Sequence, residues 1–90
     1  MYQVLFESKR SESDIISNIL VETREGIKKT QLMYKAKMSN TQLDRYLEKL
    51  IDHQCIEKRC DADDGTLYYL TNKGEQVDSI MQQLNALLGD

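Results

Sequence analysis

Apolar residues in the first half of the chain recur at helical spacing. Ile15, Ile16, Ile19 and Leu20 fall at i, i+1, i+4 and i+5, one face of a helix that starts near Ser11 or Ser13. Ser and Asp residues there offer an N-cap, and Gly26 is suited to close the element in a left-handed conformation. Ile27 follows as an anchor or a strand of one or two residues. Thr30 can cap a short helix whose inward side is Leu32, Met33 and Ala36, the small Ala36 letting a neighbouring helix approach closely. Met38 covers the turn behind it as a flexible plug. Ser39 then starts another helix without a preceding glycine, because a Ser N-cap satisfies an early amide by itself. Leu43, Tyr46 or Leu47, Leu50 and Ile51 supply that helix with an apolar face.

After His53-Gln54 the period changes. Cys55 to Cys60 is short and strand-like, Asp61-Ala62-Asp63-Asp64-Gly65 is a turn with the Asp-Gly hairpin signal, and Thr66 to Leu70 is a β-branched and aromatic returning strand. Thr71 caps a last helix reaching about Leu88. The order is helix, helix, helix, hairpin, helix: a mainly α chain with one small β-hairpin. The opening MYQVLFESKR carries Tyr2, Val4, Leu5 and Phe6, which suit a short strand or a segment docked on the body.

The last helix has its own pattern. Val77, Ile80, Leu84 and Leu87 follow a 3-4-3 spacing flanked by Met81 and Leu88, the seam of a coiled coil. Packing the stripe on its own domain is the alternative, but the other helices already supply a core. The spacing therefore predicts a dimer interface over residues 72–90. Two heptads are marginal alone, so residues 1–10 are predicted to join that interface through Val4, Leu5 and Phe6.

Ninety residues make one domain with a modest core. No apolar run approaches the roughly 20 residues of a membrane span. No basic region precedes the N-terminal apolar patch and no small-residue cleavage site follows it, so a cytoplasmic chain is expected. A net charge of −3 argues at first against nucleic acid. The distribution reverses that: Lys28 to Arg59 holds eight basic residues against four acidic ones, a local charge of +4. Such a run is also compatible with a solvated face.

Two cysteines and one histidine cannot furnish a four-ligand zinc site. On one strand, Cys55 and Cys60 point to opposite faces, so plain thiols are expected. The acidic turn fails the calcium-loop register, since Gly65 holds its position 5 and no distal bidentate Glu follows. His53 suits a helix end near the C-terminal dipole. With no nucleophile–base pair, metal cluster or glycine-rich phosphate loop in the sequence, neither an enzyme nor a cofactor is expected.

The stretch GIKKTQLMYKAKMSNTQLDRYLEKL, residues 26–50, resembles a family of small archaeal winged-helix DNA-binding proteins. The shared positions are Gly26, Thr30, Leu32-Met33-Tyr34, Ala36, Met38-Ser39, Leu43, Tyr46-Leu47 and Leu50. A second element, YYLTNKGEQ at residues 68–76, resembles the passage from wing to last helix in many such regulators, and Lys9-Arg10-Ser11 also fits. The likeness covers about residues 9–88. Two departures stand out: Gln54 occupies a position that relatives often fill with Gly, and the wing from Asp61 to Asp64 is more acidic than theirs.

The resemblance implies a winged helix-turn-helix over residues 11–71, a C-terminal coiled-coil-like helix pairing antiparallel in a homodimer, and double-stranded DNA as partner, in the nucleoid. In a helix-turn-helix the second helix, here about residues 40–52, lies in the major groove. If Leu43, Leu47, Leu50 and Ile51 face inward, then Asn40, Thr41, Gln42, Asp44, Arg45 and Lys49 face out. Arg suits guanine O6/N7, Gln or Asn suits adenine, and Thr suits a base edge or thymine methyl. Arg45 and Gln42, then Asn40 and Thr41, are the expected base contacts. Lys28, Lys29, Thr30, Tyr34, Lys35, Lys49, Lys58 and Arg59 are the expected backbone contacts; for Tyr34 a half-buried core position is an equal rival. The implied function is a dimeric, sequence-preferring transcriptional regulator. An architectural chromatin role and a protein-interaction module without DNA binding remain open, the latter favoured by the acidic wing.

Overall fold

The computed structural model describes residues 11–61, 63 and 65–88. Residues 1–10, expected at a dimer interface, lie outside the described residues, as do Ala62 and Asp64 of the acidic turn and residues 89–90.

Ser11 caps the first helix, α1 (Glu12–Glu22), its hydroxyl accepting from the Asp14 amide at 3.1 Å. The helix stops at Glu22 rather than running on to Gly26. Thr23 ends it: its hydroxyl donates to the Leu20 carbonyl at 3.0 Å, and its own carbonyl accepts from Gly26 at 3.2 Å and Leu70 at 2.9 Å. Gly26 is left-handed, with φ of 88°, in the turn that follows. A Cβ there would strike the Tyr69 ring, so both conformation and space demand glycine.

Ile27–Lys28 form β1, and α2 (Lys29–Ala36) begins at once. Thr30 therefore sits inside the first turn and does not cap the helix. The Lys28 amide is held instead by the Gln31 side-chain oxygen at 3.4 Å. At the other end Lys37 adopts the left-handed conformation, φ 57°, and Met38 donates back to the Met33 carbonyl at 3.1 Å. The junction thus does need a left-handed residue, and a lysine takes that role at about 1 kcal/mol of strain. Ser39 then caps α3 (Asn40–Asp52), accepting from the Gln42 amide at 3.2 Å, while Gln42 Oε1 accepts from the Ser39 amide at 3.3 Å. This reciprocal box satisfies two amides that a helix start otherwise leaves open.

The strands β2 (Ile56–Asp61) and β3 (Gly65–Leu70) pair antiparallel, from Ile56 opposite Leu70 to Asp61 opposite Gly65. β1 adds to the other edge of β3, so the sheet has three strands in the order β1-β3-β2, not the two of a bare hairpin. Thr71 caps α4 (Asn72–Leu88): its hydroxyl accepts from Gly74 at 2.9 Å and donates to the Gln54 carbonyl at 2.6 Å. Gly74 presses the first turn of α4 onto the Cys55 carbonyl, where a Cβ would collide.

Ile19, Leu20, Leu32, Leu43 and Ile56 are fully buried between the three helices and the sheet. Each contributes about 1.5–3 kcal/mol by leaving water. Cys55 is buried and Cys60 exposed, both free thiols. No helix among the described residues is long and apolar enough to cross a membrane.

Gln54 is the second non-glycine left-handed residue, with φ of 65°. Its amide donates to Ile51 at 2.9 Å and its carbonyl accepts from Thr71, both backbone contacts that any residue retains. Gln54→Gly is therefore expected to stabilise the fold by about 1 kcal/mol, raising the thermal midpoint by about 5 °C. Calorimetry checks this; an unchanged or lower midpoint would show that the strain is already relieved locally.

Candidate nucleic-acid interface

Leu43, Leu47 and Leu50 bury one side of α3, with Tyr46 and Ile51 half-buried beside them. The opposite side carries Asn40, Thr41, Gln42, Asp44, Arg45 and Lys49, all exposed. Among the described residues Asn40, Thr41 and Arg45 have no side-chain hydrogen bond or ion pair. Gln42 differs. Its side-chain oxygen is engaged in the capping box, leaving only its amide nitrogen unengaged. The pattern Ser-x-x-Gln at 39–42 is itself a capping-box signal, so this second role was readable beforehand.

The basic residues are less uniform than their sequence suggests. Lys29 on α2 forms an ion pair with Asp44 on α3, tying the first turn of one helix to the second turn of the other. Lys49 reaches Glu12 of α1 at 3.0 Å, and Lys35 lies 3.9 Å from Glu22. Arg59 pairs with Glu57 at 3.1 Å and stacks over Tyr69, 4.4 Å from the ring centre. Lys28 and Lys58 have no ion pair among the described residues. Exposed pairs of this kind are weak, on the order of 1 kcal/mol or less, and can exchange their acid for a phosphate.

Strand register separates the two wing cations. Lys58 stands opposite Tyr68 and shares the face by which Ile56 enters the core, so it lies on the helical side of the sheet. Arg59 stands opposite Leu67 on the other face, and Lys28 pairs with Leu67 from the far edge. Lys28 and Arg59 thus share the outer face and Lys58 does not. Tyr34 is 84% exposed, so the half-buried position does not hold for it. Thr30 is exposed on the first turn of α2.

Along α4 the expected seam divides. Val77 and Met81 pack against the chain's own core, whereas Ile80, Leu84, Leu87 and Leu88 are exposed, Leu87 at 83%. The missed feature is the contact that holds this helix: Arg24, just past α1, pairs with buried Asp78. No short-range pattern signals that pair, whose members lie 54 residues apart.

Three helices closed by a three-stranded antiparallel sheet, with the β2–β3 hairpin beside the exposed third helix, define a winged helix-turn-helix. The chain belongs to the winged helix-turn-helix family, whose model matches residues 9–88. No curated protein matches it significantly. Among solved structures, Sso10a-2, a DNA-binding protein from Sulfolobus solfataricus, superposes with a TM-score of 0.78 at 19% identity, covering 87% of this chain and 81% of that one. A MarR-family transcriptional regulator from Silicibacter pomeroyi superposes with a TM-score of 0.67 at 17% identity, covering 91% of this chain and 56% of that one. At such identities the likeness is one of fold.

Proposed function

We propose that the chain is a dimeric, sequence-preferring double-stranded DNA-binding protein that regulates transcription, with α3 entering the major groove. The observation that carries this reading is the exposed start of α3, where Asn40, Thr41 and Arg45 stand unengaged on a helix whose other side is anchored by three buried leucines. A major groove admits one α-helix, and these side chains match the donor and acceptor patterns of base edges. Gln42 adds a donor through its amide nitrogen. Lys28, Thr30, Tyr34 and Lys58 are exposed groups suited to phosphate oxygens, and Lys29, Lys35, Lys49 and Arg59 can join them by exchanging their acids. The exposed Ile80, Leu84, Leu87 and Leu88 are the surface that pairs two copies. One fold neighbour is a DNA-binding protein and the other a transcriptional regulator, in agreement with this reading. It places the protein in the nucleoid.

Selection from random duplexes at two salt concentrations tests it. An enriched two-part motif is the expected result, with log affinity falling against log salt by about 0.9 for each phosphate neutralised. Salt-steep binding without enrichment would indicate an architectural protein. Absence of binding at low salt would leave a protein-interaction module, the reading that the acidic wing favours.

Asp44 supplies a sharper check. Asp44→Asn releases Lys29 and removes a negative charge from the exposed face of α3. Affinity is expected to rise about three- to tenfold, with the salt slope steeper by about one phosphate. Fluorescence anisotropy titrations at several salt concentrations would measure both, and unchanged values would place this pair off the DNA.

A further inference from the structure

Among the described residues Asp78 is the one buried charged side chain, 7% exposed, on the inner side of α4. Arg24 Nε and Nη2 donate to its Oδ2 at 2.8 and 2.7 Å, and Gln82 Nε2 donates to its Oδ1 at 3.2 Å. Gln82 also reaches Ser17 Oγ of α1 at 3.3 Å. Both carboxylate oxygens are therefore occupied, and the two elements they join are α4 and the end of α1. The neighbouring Val77 and Met81 make apolar contacts, which tolerate rotation and sliding of the helix. A charged pair of fixed geometry does not tolerate them. Arg24 is half exposed, so the pair is buried only on its Asp78 side. Burying a charge in such a pair adds little stability over an apolar residue, and its best-attested use is to specify register.

At about 100° per residue, Asp78 and Leu87 lie on opposite sides of α4. The side held down by Asp78 thus determines which side is offered outward. We propose that the Arg24–Asp78 pair, backed by Gln82 and Ser17, is an orientation lock: it fixes the rotation of α4 and thereby the separation of the two α3 helices in a pair of copies. This rests on the reading that α4 joins two copies on DNA. Arg24, Asp78 and Gln82 are positioning residues and touch no base.

The test uses the full chain and duplexes carrying two copies of its selected half-site at stepped spacings. Wild type is expected to prefer one spacing by about tenfold or more. In Asp78→Leu, single-half-site affinity and dimer mass stay unchanged while that preference falls below about threefold. Asp78→Asn, which retains the oxygen facing Arg24, gives an intermediate preference and serves if the leucine variant fails to fold. The exchanged pair Arg24→Asp with Asp78→Arg restores the spacing preference. A merely structural contact would lower thermal stability and leave the preferred spacing intact, and that result in Asp78→Leu or Asp78→Asn overturns the lock. A wild type that remains monomeric, or binds paired and single sites alike, overturns the paired reading and the lock with it.

Discussion

Leu84→Glu is expected to separate the proposed dimer and to weaken binding to a paired DNA site by about a hundredfold, with the fold itself intact. Linking two binding units makes the second contact intramolecular, a gain on the order of a hundred- to ten-thousandfold that needs no new contact. Leu84 is half exposed on the single chain and Ile80, Leu87 and Leu88 more so. A carboxylate among them costs the monomer little, because water still reaches it. In a paired seam the same carboxylate is buried without a partner, a penalty of several kcal/mol. Light scattering should report half the wild-type mass, with a thermal midpoint at low concentration within a few degrees of wild type. Binding to a single half-site should be unchanged. A variant that remains dimeric would move the interface off α4.

Arg45→Ala is expected to reduce affinity for the preferred site about ten- to a hundredfold, equivalent to roughly 1–3 kcal/mol, and to relax the preference at one base position. The size follows from the side chain's situation. Arg45 is exposed and has no ion pair among the described residues, so its removal leaves the fold within about 0.5 kcal/mol of wild type. Arg45→Lys should recover part of the affinity and little of the preference, because a point charge lacks the two-pronged geometry that reads guanine. Lys49→Ala supplies the contrast. That lysine is held by Glu12, so its loss should weaken binding modestly and equally across sequences. Repeating the duplex selection with all three variants separates these outcomes. Equal enrichment by wild type and Arg45→Ala would exclude Arg45 from base readout.

The helices and hairpin were legible because the signals that build them are short-range. Ser11, Ser39 and Thr71 each cap the helix that follows, and three-residue reach is all a cap needs. The apolar face of α3 follows from periodicity alone. Gly26 was recognised as left-handed, though Thr23 ends α1 sooner by binding Leu70 from across the sheet. The same limit explains β1: its two residues form a strand only because the edge of β3 lies beside them. Gln54, noted as a departure from a customary glycine, indeed occupies a left-handed position.

Charge was the least legible property. Eight basic residues in one segment read as one surface, yet Lys29, Lys35, Lys49 and Arg59 each meet an acid, and Lys58 and Arg59 face opposite ways. Ion pairs join residues from different elements, so no window of sequence contains both partners. The division of the α4 stripe has the same origin: Val77 and Met81 face a core built from distant segments, on the side where Arg24 and Ser17 meet Asp78 and Gln82. Periodicity and capping signals thus established most of the elements and the core, and two short motifs carried the family resemblance, since those depend on neighbours a few residues away. Which cations are unengaged, and which side of the last helix stays exposed, depended on chain segments brought together only by folding.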